Sequence, residues 1–187
     1  MDYTSKIKAY LEEEKRVIDD LNIDNVNVVM NIFENARLQG QRIFICGNGG
    51  SASTAAHFTA DFNKGVSEKL DKRYDFECLS DNVPTMMAIA NEISYEEIFR
   101  ELLKNKLHEG DVVVGISGSG NSENVVNAIS YAKEHGAKTV VFVGYDGGKL
   151  MSIADHYIHI NVNNMQITED IHMMLDHLMM YTLTHRE

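Results

Sequence analysis

Cysteine, proline, basic residues and long apolar runs are all scarce in this 187-residue chain. The two cysteines, Cys46 and Cys78, are too few for a disulfide framework and form no CxxC pair for metal or redox chemistry. A reducing cytoplasm suits such a sequence. Lysine and arginine number 17 against 28 aspartates and glutamates, a formal charge of −11. No clustered basic face is visible, so nucleic acid and anionic membrane are not expected partners. Any phosphate the protein binds must be held by local donors. No apolar stretch approaches the ~18 residues of a membrane span, and the opening MDYTSKIKAYLEEEKRV is charged and amphipathic. The expected protein is soluble and unexported. Pro84 is the only proline and no Pro- or Ser-rich linker interrupts the chain, so residues 1–187 read as one domain, with 1–40 a helical lead-in.

What is present is order. Residues 4 to 20 and 24 to 39 carry apolar positions at helical spacing, separated by Leu21-Asn22-Ile23. Short β-branched runs follow at Arg42–Cys46, Phe76–Ser80, Val112–Ser117, Thr139–Gly144 and Tyr157–Val162, with helix-patterned segments between them. Alternating strands and helices predict an α/β fold, a mostly parallel five-stranded sheet covered on both faces. RIFICGNGGSASTAAHF and VVVGISGSGNSENVVNAI both run strand, Gly/Ser/Asn loop, helix. Two like loops would lie at the carboxyl edge of the sheet, where ligands of open parallel sheets sit.

Helix N-termini offer unpaired N–H groups and a partial positive charge, so such loops suit an anion without help from lysine or arginine. Glycine lets the backbone approach the ligand, and Ser117, Ser119 and Ser122 add hydroxyl donors. A nucleotide fits poorly. Gly118-Ser119-Gly120 is followed by Glu123 where the dinucleotide fingerprint needs glycine, and no GxxxxGK[ST] occurs. The plain alternative is a strand-to-helix turn with Ser122 as helix cap. The second glycine loop, GNGGSAS from Gly47 to Ser53, favours a ligand.

His57 and Asp61 stand at i and i+4 on the helix after the first loop, hence on one face. Either they form a base with its orienting imidazole, or a shared metal site, or they are an ordinary surface pair. Segment 167–184, ITEDIHMMLDHLMMYTLT, is apolar around most of its circumference, which predicts a helix in a bundle or subunit interface. Its polar residues then cost free energy unless paired. Glu169 and His177 project about 80° apart and can face one cleft, whereas His172 projects away from His177 and reads as a core residue. The methionines of this segment read as core filling. Cys46 reads as a small buried hydrophobe. His156 and His159 carry no recognised motif.

Four stretches together, Cys46–Phe58 (CGNGGSASTAAHF), Ile116–Val125 (ISGSGNSENV), Gly144–Leu150 (GYDGGKL) and Glu169–His177 (EDIHMMLDH), resemble the sugar-isomerase (SIS) domain family. Within it the chain is similar to the phosphoheptose isomerases, which interconvert sedoheptulose 7-phosphate and a D-glycero-D-manno-heptose 7-phosphate. The resemblance implies a single SIS domain whose N-terminal helices join an oligomer bundle, a homotetramer with active sites between subunits. It places a phosphate cradle on Ser51, Ser117, Ser119 and Ser122, and further substrate contacts on Asn48, Gly49, Gly50, Gly118, Glu92 and Glu169. It puts the base on Asp61 and the acid on His177. In zinc-binding members the ligands fall on His57, Asp61, Glu169 and His177. The chain departs from the family pattern at Asp61 (usually Glu), Glu169 (usually Gln), Gly118 (usually Thr) and Glu92 (usually Asp). An N₂O₂ set with an added carboxylate suits Zn²⁺. Without a metal, Asp61 and Glu169 would repel and one would become a poised base. The leading expectation is a sugar-phosphate aldose–ketose isomerase with no nucleotide cofactor. The alternative is a non-catalytic SIS tetramer that gathers partner proteins, as in a related replication-initiation protein that lacks histidine at the position of His177.

Overall fold

A computed structural model describes residues 1–185. Two helices lead, α1 (Thr4–Asp19) and α2 (Ile23–Gln39). They part at Asn22, whose side chain accepts from the Asn25 amide at 3.0 Å, and α2 ends at Gly40 in the left-handed conformation. Capping chemistry therefore sets both ends of α2. The remainder alternates as β1 (Ile43–Gly47), α3 (Gly50–Ala60), β2 (Phe76–Cys78), α4 (Val83–Glu92), α5 (Ile98–Leu103), β3 (Val112–Ser117), α6 (Glu123–Glu134), β4 (Lys138–Val143), α7 (Gly148–Ile153), β5 (His156–His159) and α8 (Met165–Thr184).

The five strands order β2-β1-β3-β4-β5 with every pairing parallel. Strand positions alternate between two cores, as period-two geometry requires. Ile43, Ile45, Val112, Val114, Ile116 and Phe142 pack with α2, α3 and α8. Phe44, Cys46, Val113, Val141 and Val143 pack with α5, α6 and α7. Both faces are covered, which is why these strands read as unbroken apolar runs. β2 and β5 are shorter than the sequence runs predict. After Cys78 the chain turns into a 3₁₀ segment, Leu79–Asp81, where Ser80 Oγ donates to the Gly47 carbonyl at 3.0 Å. A side chain there replaces a ladder bond.

Apolar residues also remain outside. Tyr3 just before α1, Ile7 and Leu11 on α1, Val28 and Leu38 on α2, and Val83 and Met87 on α4 are exposed. No helix among the described residues is long and apolar enough to cross a membrane.

The crossover from β1 out to β2 and back to β3 puts the two glycine loops side by side at the carboxyl edge, with Gly47 level with Ile116. The loops after β3 and β4 are stitched by backbone bonds from Gly144 N to Gly118 O (2.9 Å) and from Leu150 N to Gly120 O (3.0 Å). Gly120 has φ +65°, and a Cβ there would stand 2.1 Å from the Gly147 carbonyl oxygen. Gly120→Ala is therefore expected to destabilise the protein by at least about 2 kcal/mol through left-handed strain and backbone collision. Urea unfolding with an unchanged midpoint would contradict this close loop contact.

Candidate active site

The first glycine loop rises from β1 through Asn48 and Gly49 into α3, whose opening turn carries Gly50 and buried Ser51. The second rises from β3 into α6. Ser117 is buried, and its hydroxyl lies 3.0 Å from Ser122 Oγ and 3.5 Å from Ser119 Oγ. Ser122 does occupy the N-cap position of α6, but its side chain makes no cap bond and turns to Ser117 instead. Three hydroxyls thus share one loop that opens α6, and although the Val125 amide is taken by the Ser122 carbonyl and Asn124 Oδ1, the two amides before it lie ahead of the helical ladder, an arrangement that can receive an anion. Asn48 and Asn124 exchange amide hydrogen bonds at 2.9 Å in both directions, which ties the two loops together, and Tyr95 Oη donates to Asn48 Oδ1 at 2.8 Å. Gly118 leaves the room that Met165 fills, since a Cβ there would stand 2.4 Å from its sulfur.

Further along α3, at its carboxyl end, the helix passes into a π-helical turn, Asp61–Gly65. Such turns are rare and recur at functional sites. Here His57 and Asp61 meet α8. His57 Nε2 lies 3.5 Å from Asp61 Oδ2, 3.1 Å from His177 Nε2 and 3.8 Å from Asp176 Oδ2. One ligand atom from each of His57, Asp61, Asp176 and His177 lies within 4.8 Å of all the others. Two imidazoles and two carboxylates so placed can hold a metal ion.

Three of the four expected metal ligands are brought together; Glu169 stands apart. Its carboxylate rests over Gly50, where an added Cβ would meet it at 2.5 Å, beside the positive end of α3. Glu169 precedes His177 by eight residues on α8, a separation of about 12 Å along the axis. The 80° projection allowed a shared cleft, but the axial rise separates the two. Glu92 closes α4 with its side chain exposed. A cleft of about 490 Å³, lined in part by Tyr145, Asp146 and Asn161, shares only Ser119 with these residues.

His172 is a core residue as expected, fully buried near Phe142. Asp176 was not anticipated. Its side chain is 0% exposed, and neither carboxylate oxygen has a hydrogen-bond partner among the described residues. The available signal was an acid on the apolar stripe of α8, four residues after a buried histidine, where an uncompensated charge is costly. Burial, with the nearby charge of Asp61, pushes the Asp176 carboxyl up to about 7. Burial pushes the His172 imidazole down to about 4. Both cysteines are buried and unpaired, and burial pushes the Cys78 thiol up to about 11.

The chain belongs to the SIS domain family, whose model matches residues 2–144, and within that family to the phosphoheptose isomerases. It is 33% identical over 177 residues to the phosphoheptose isomerase of Clostridium acetobutylicum, covering 93% of this chain and 89% of the relative. It is 33% identical over 184 residues to the phosphoheptose isomerase of Haemophilus ducreyi, covering 95% and 94%. The solved phosphoheptose isomerase of Neisseria gonorrhoeae superposes with a TM-score of 0.89 at 24% identity over 97% of this chain and 98% of its own, a likeness of fold.

The buried histidine generates a prediction. The folded-state pKa of His172 is depressed from 6.5 to about 4, so the unfolded chain binds the extra proton between those values, and this contribution to stability is lost as pH falls through that window. Asp176 acts in the opposite sense: its pKa is raised, so its contribution is lost as pH rises toward 7. Taking the difference between wild type and His172→Leu isolates the imidazole. That difference should grow in favour of wild type by up to about 1.4 kcal/mol per pH unit from pH 4 to 6.5, measured by denaturant unfolding in chelator. A flat difference would mean that His172 is not held neutral.

Proposed function

We propose that the protein is an aldose–ketose isomerase of sugar phosphates, converting sedoheptulose 7-phosphate to D-glycero-D-manno-heptose 7-phosphate. The observation that carries this reading is the placement of a carboxylate and an imidazole, Asp61 and His177, in one cluster down the same helix pair that begins at the hydroxyl-lined loops. The curated relatives that span the chain bear this activity in their names.

The phosphate would be held by Ser51, Ser117, Ser119 and Ser122 with the opening amides of α3 and α6. From Ser51 to Asp61 the chain rises ten residues, about 15 Å along a helical axis, and from Ser51 to His57 about 9 Å. A phosphate at the loops and a carbonyl at the cluster therefore suit a long, extended sugar better than a triose. Asn48 and Glu169 would face the middle of that chain. In the reaction Asp61 takes the proton from C1 of the ketose while His177 gives a proton to the C2 oxygen, forming the enediol. The proton then returns to C2 as the C1 hydroxyl loses its own, leaving the aldehyde. We infer that the His/Asp cluster holds a divalent cation, zinc by its N₂O₂ chemistry. Bound there through the imidazole Nε2 atoms, such an ion would take over the task of the acid from His177 by polarising the adjoining sugar oxygens. Two buried thiols fit a reducing cytoplasm.

The test is conversion of C5 to C7 ketose phosphates in D₂O, followed by NMR. The seven-carbon substrate should yield aldose signals with solvent deuterium at C2, and Asp61→Asn should reduce turnover by about 10²- to 10⁴-fold. Turnover retained in Asp61→Asn would remove it as the base. Absence of turnover in wild type with any of these sugars would favour the protein-gathering alternative.

A homotetramer is part of the same reading. It is supported by the apolar side chains left exposed on α1, α2 and α4, more than a monomer gains from keeping in water. Sedimentation velocity should return the mass of four chains at micromolar concentration; a stable monomer would refute it.

A further inference from the structure

We propose that Asp176 supplies the anionic ligand that anchors the metal ion of this site, together with His57 and His177, and that Glu169 lies outside the coordination sphere. The inference rests on the reading of the His/Asp cluster as a metal site and names which acid on α8 completes it. It begins from a cost. Asp176 is wholly buried, and both its oxygens lack hydrogen-bond partners among the described residues. A carboxylate in that position is tolerated only if a proton or a cation compensates it. The groups around it in the cluster are His57, Asp61 and His177. Among the described residues neither Asp61 nor Asp176 pairs with a lysine or arginine, only with His57, so a bound cation is the natural counter-charge.

The geometry agrees. Zinc bonds of about 2.0–2.2 Å to nitrogen and oxygen place neighbouring ligands of a tetrahedron roughly 3.3–3.6 Å apart. The distances from His57 Nε2 are 3.1 Å to His177, 3.5 Å to Asp61 and 3.8 Å to Asp176. These straddle that edge length before any ion draws the ligands in. Asp176 and His177 are consecutive on α8, so they share an axial level, whereas Glu169 sits about 10 Å lower, over Gly50. His57 is 43% exposed, which leaves the ion a route from solvent.

Full-length protein stripped with chelator and titrated with Co²⁺ tests this, since tetrahedral Co²⁺ reports its own site by visible absorption and calorimetry gives its affinity. Asp176→Asn should weaken Co²⁺ binding by about a hundred-fold or more, beyond the loss typical of a residue that only supports a ligand. Glu169→Gln should leave the affinity unchanged. Asp176→Cys should retain binding and gain a near-ultraviolet thiolate-to-cobalt band absent from wild type, which shows direct ligation even if the asparagine variant folds poorly. The assignment is overturned if Glu169→Gln loses the ion while Asp176→Asn keeps it, if Asp176→Cys gains no band, or if wild type binds no Co²⁺. The isomerase reading stands or falls separately, on the NMR conversion assay: an inactive protein with intact Co²⁺ behaviour refutes the reaction and leaves the ligand assignment in place.

Discussion

Everything at this site depends on the adjacency of β1 and β3. The chain leaves β1 in one direction to build β2 and returns on the other side to build β3, so the connections above these two neighbouring strands diverge and leave a crevice between them. Parallel pairing fixes the level of both loops, with Gly47 opposite Ile116. The reciprocal Asn48–Asn124 amide pair then holds them at one separation. Each amide gives the other one bond and keeps a second N–H for further partners, and the serine hydroxyls and the first amides of α3 and α6 stand beside the pair.

The second constraint is axial. α3 and α8 approach at Gly50 and Glu169 near their starts, and again at His57 and His177 some two turns on. Seven residues separate the first pair of positions on α3 and eight on α8, so the helices advance together. The distance from loops to cluster is thereby set by helical rise, which packing holds more firmly than a loop could. The π-helical turn beginning at Asp61 alters the helix where its carboxylate faces α8. On the proposed reading, loop geometry would serve the anion end and helix geometry the proton-transfer end.

Much of this was legible from the residues. β-branched runs located all five strands, the glycine loops fell at the sheet edge as expected, and His57, Asp61 and His177 converge. The failures have specific causes. β2 stops early because Ser80 bonds back to the Gly47 carbonyl, a tertiary contact with no local signature. For Ser122 it is the plain alternative of a helix cap that fails, since its side chain makes no cap bond and answers Ser117 across the turn. Periodicity gives the angle between Glu169 and His177 but says little about which neighbour each meets along the axis. Asp176 was the most readable of the omissions. An acid among Ile171, Leu175 and Met179 on a buried stripe demands compensation, and that demand is visible before any coordinates.

Charge counting links these observations. Asp61 and Asp176 carry two negative charges when ionised, and His57 and His177 contribute none when neutral, so a divalent cation brings the cluster to zero. Adding Glu169 to the same sphere would leave a net negative charge in a partly buried site, where an unbalanced charge is poorly solvated. Leaving it over Gly50 places that carboxylate instead against the positive end of α3. With an ion bound, the neutral cluster would offer little attraction to the phosphate of a substrate, and the hydroxyls and helix amides at the loops would be the better place for it. In the proposed reaction the separation of Asp176 from Glu169 on one helix would sort the two ends of the substrate, the phosphate to the loops and the carbonyl to the cluster.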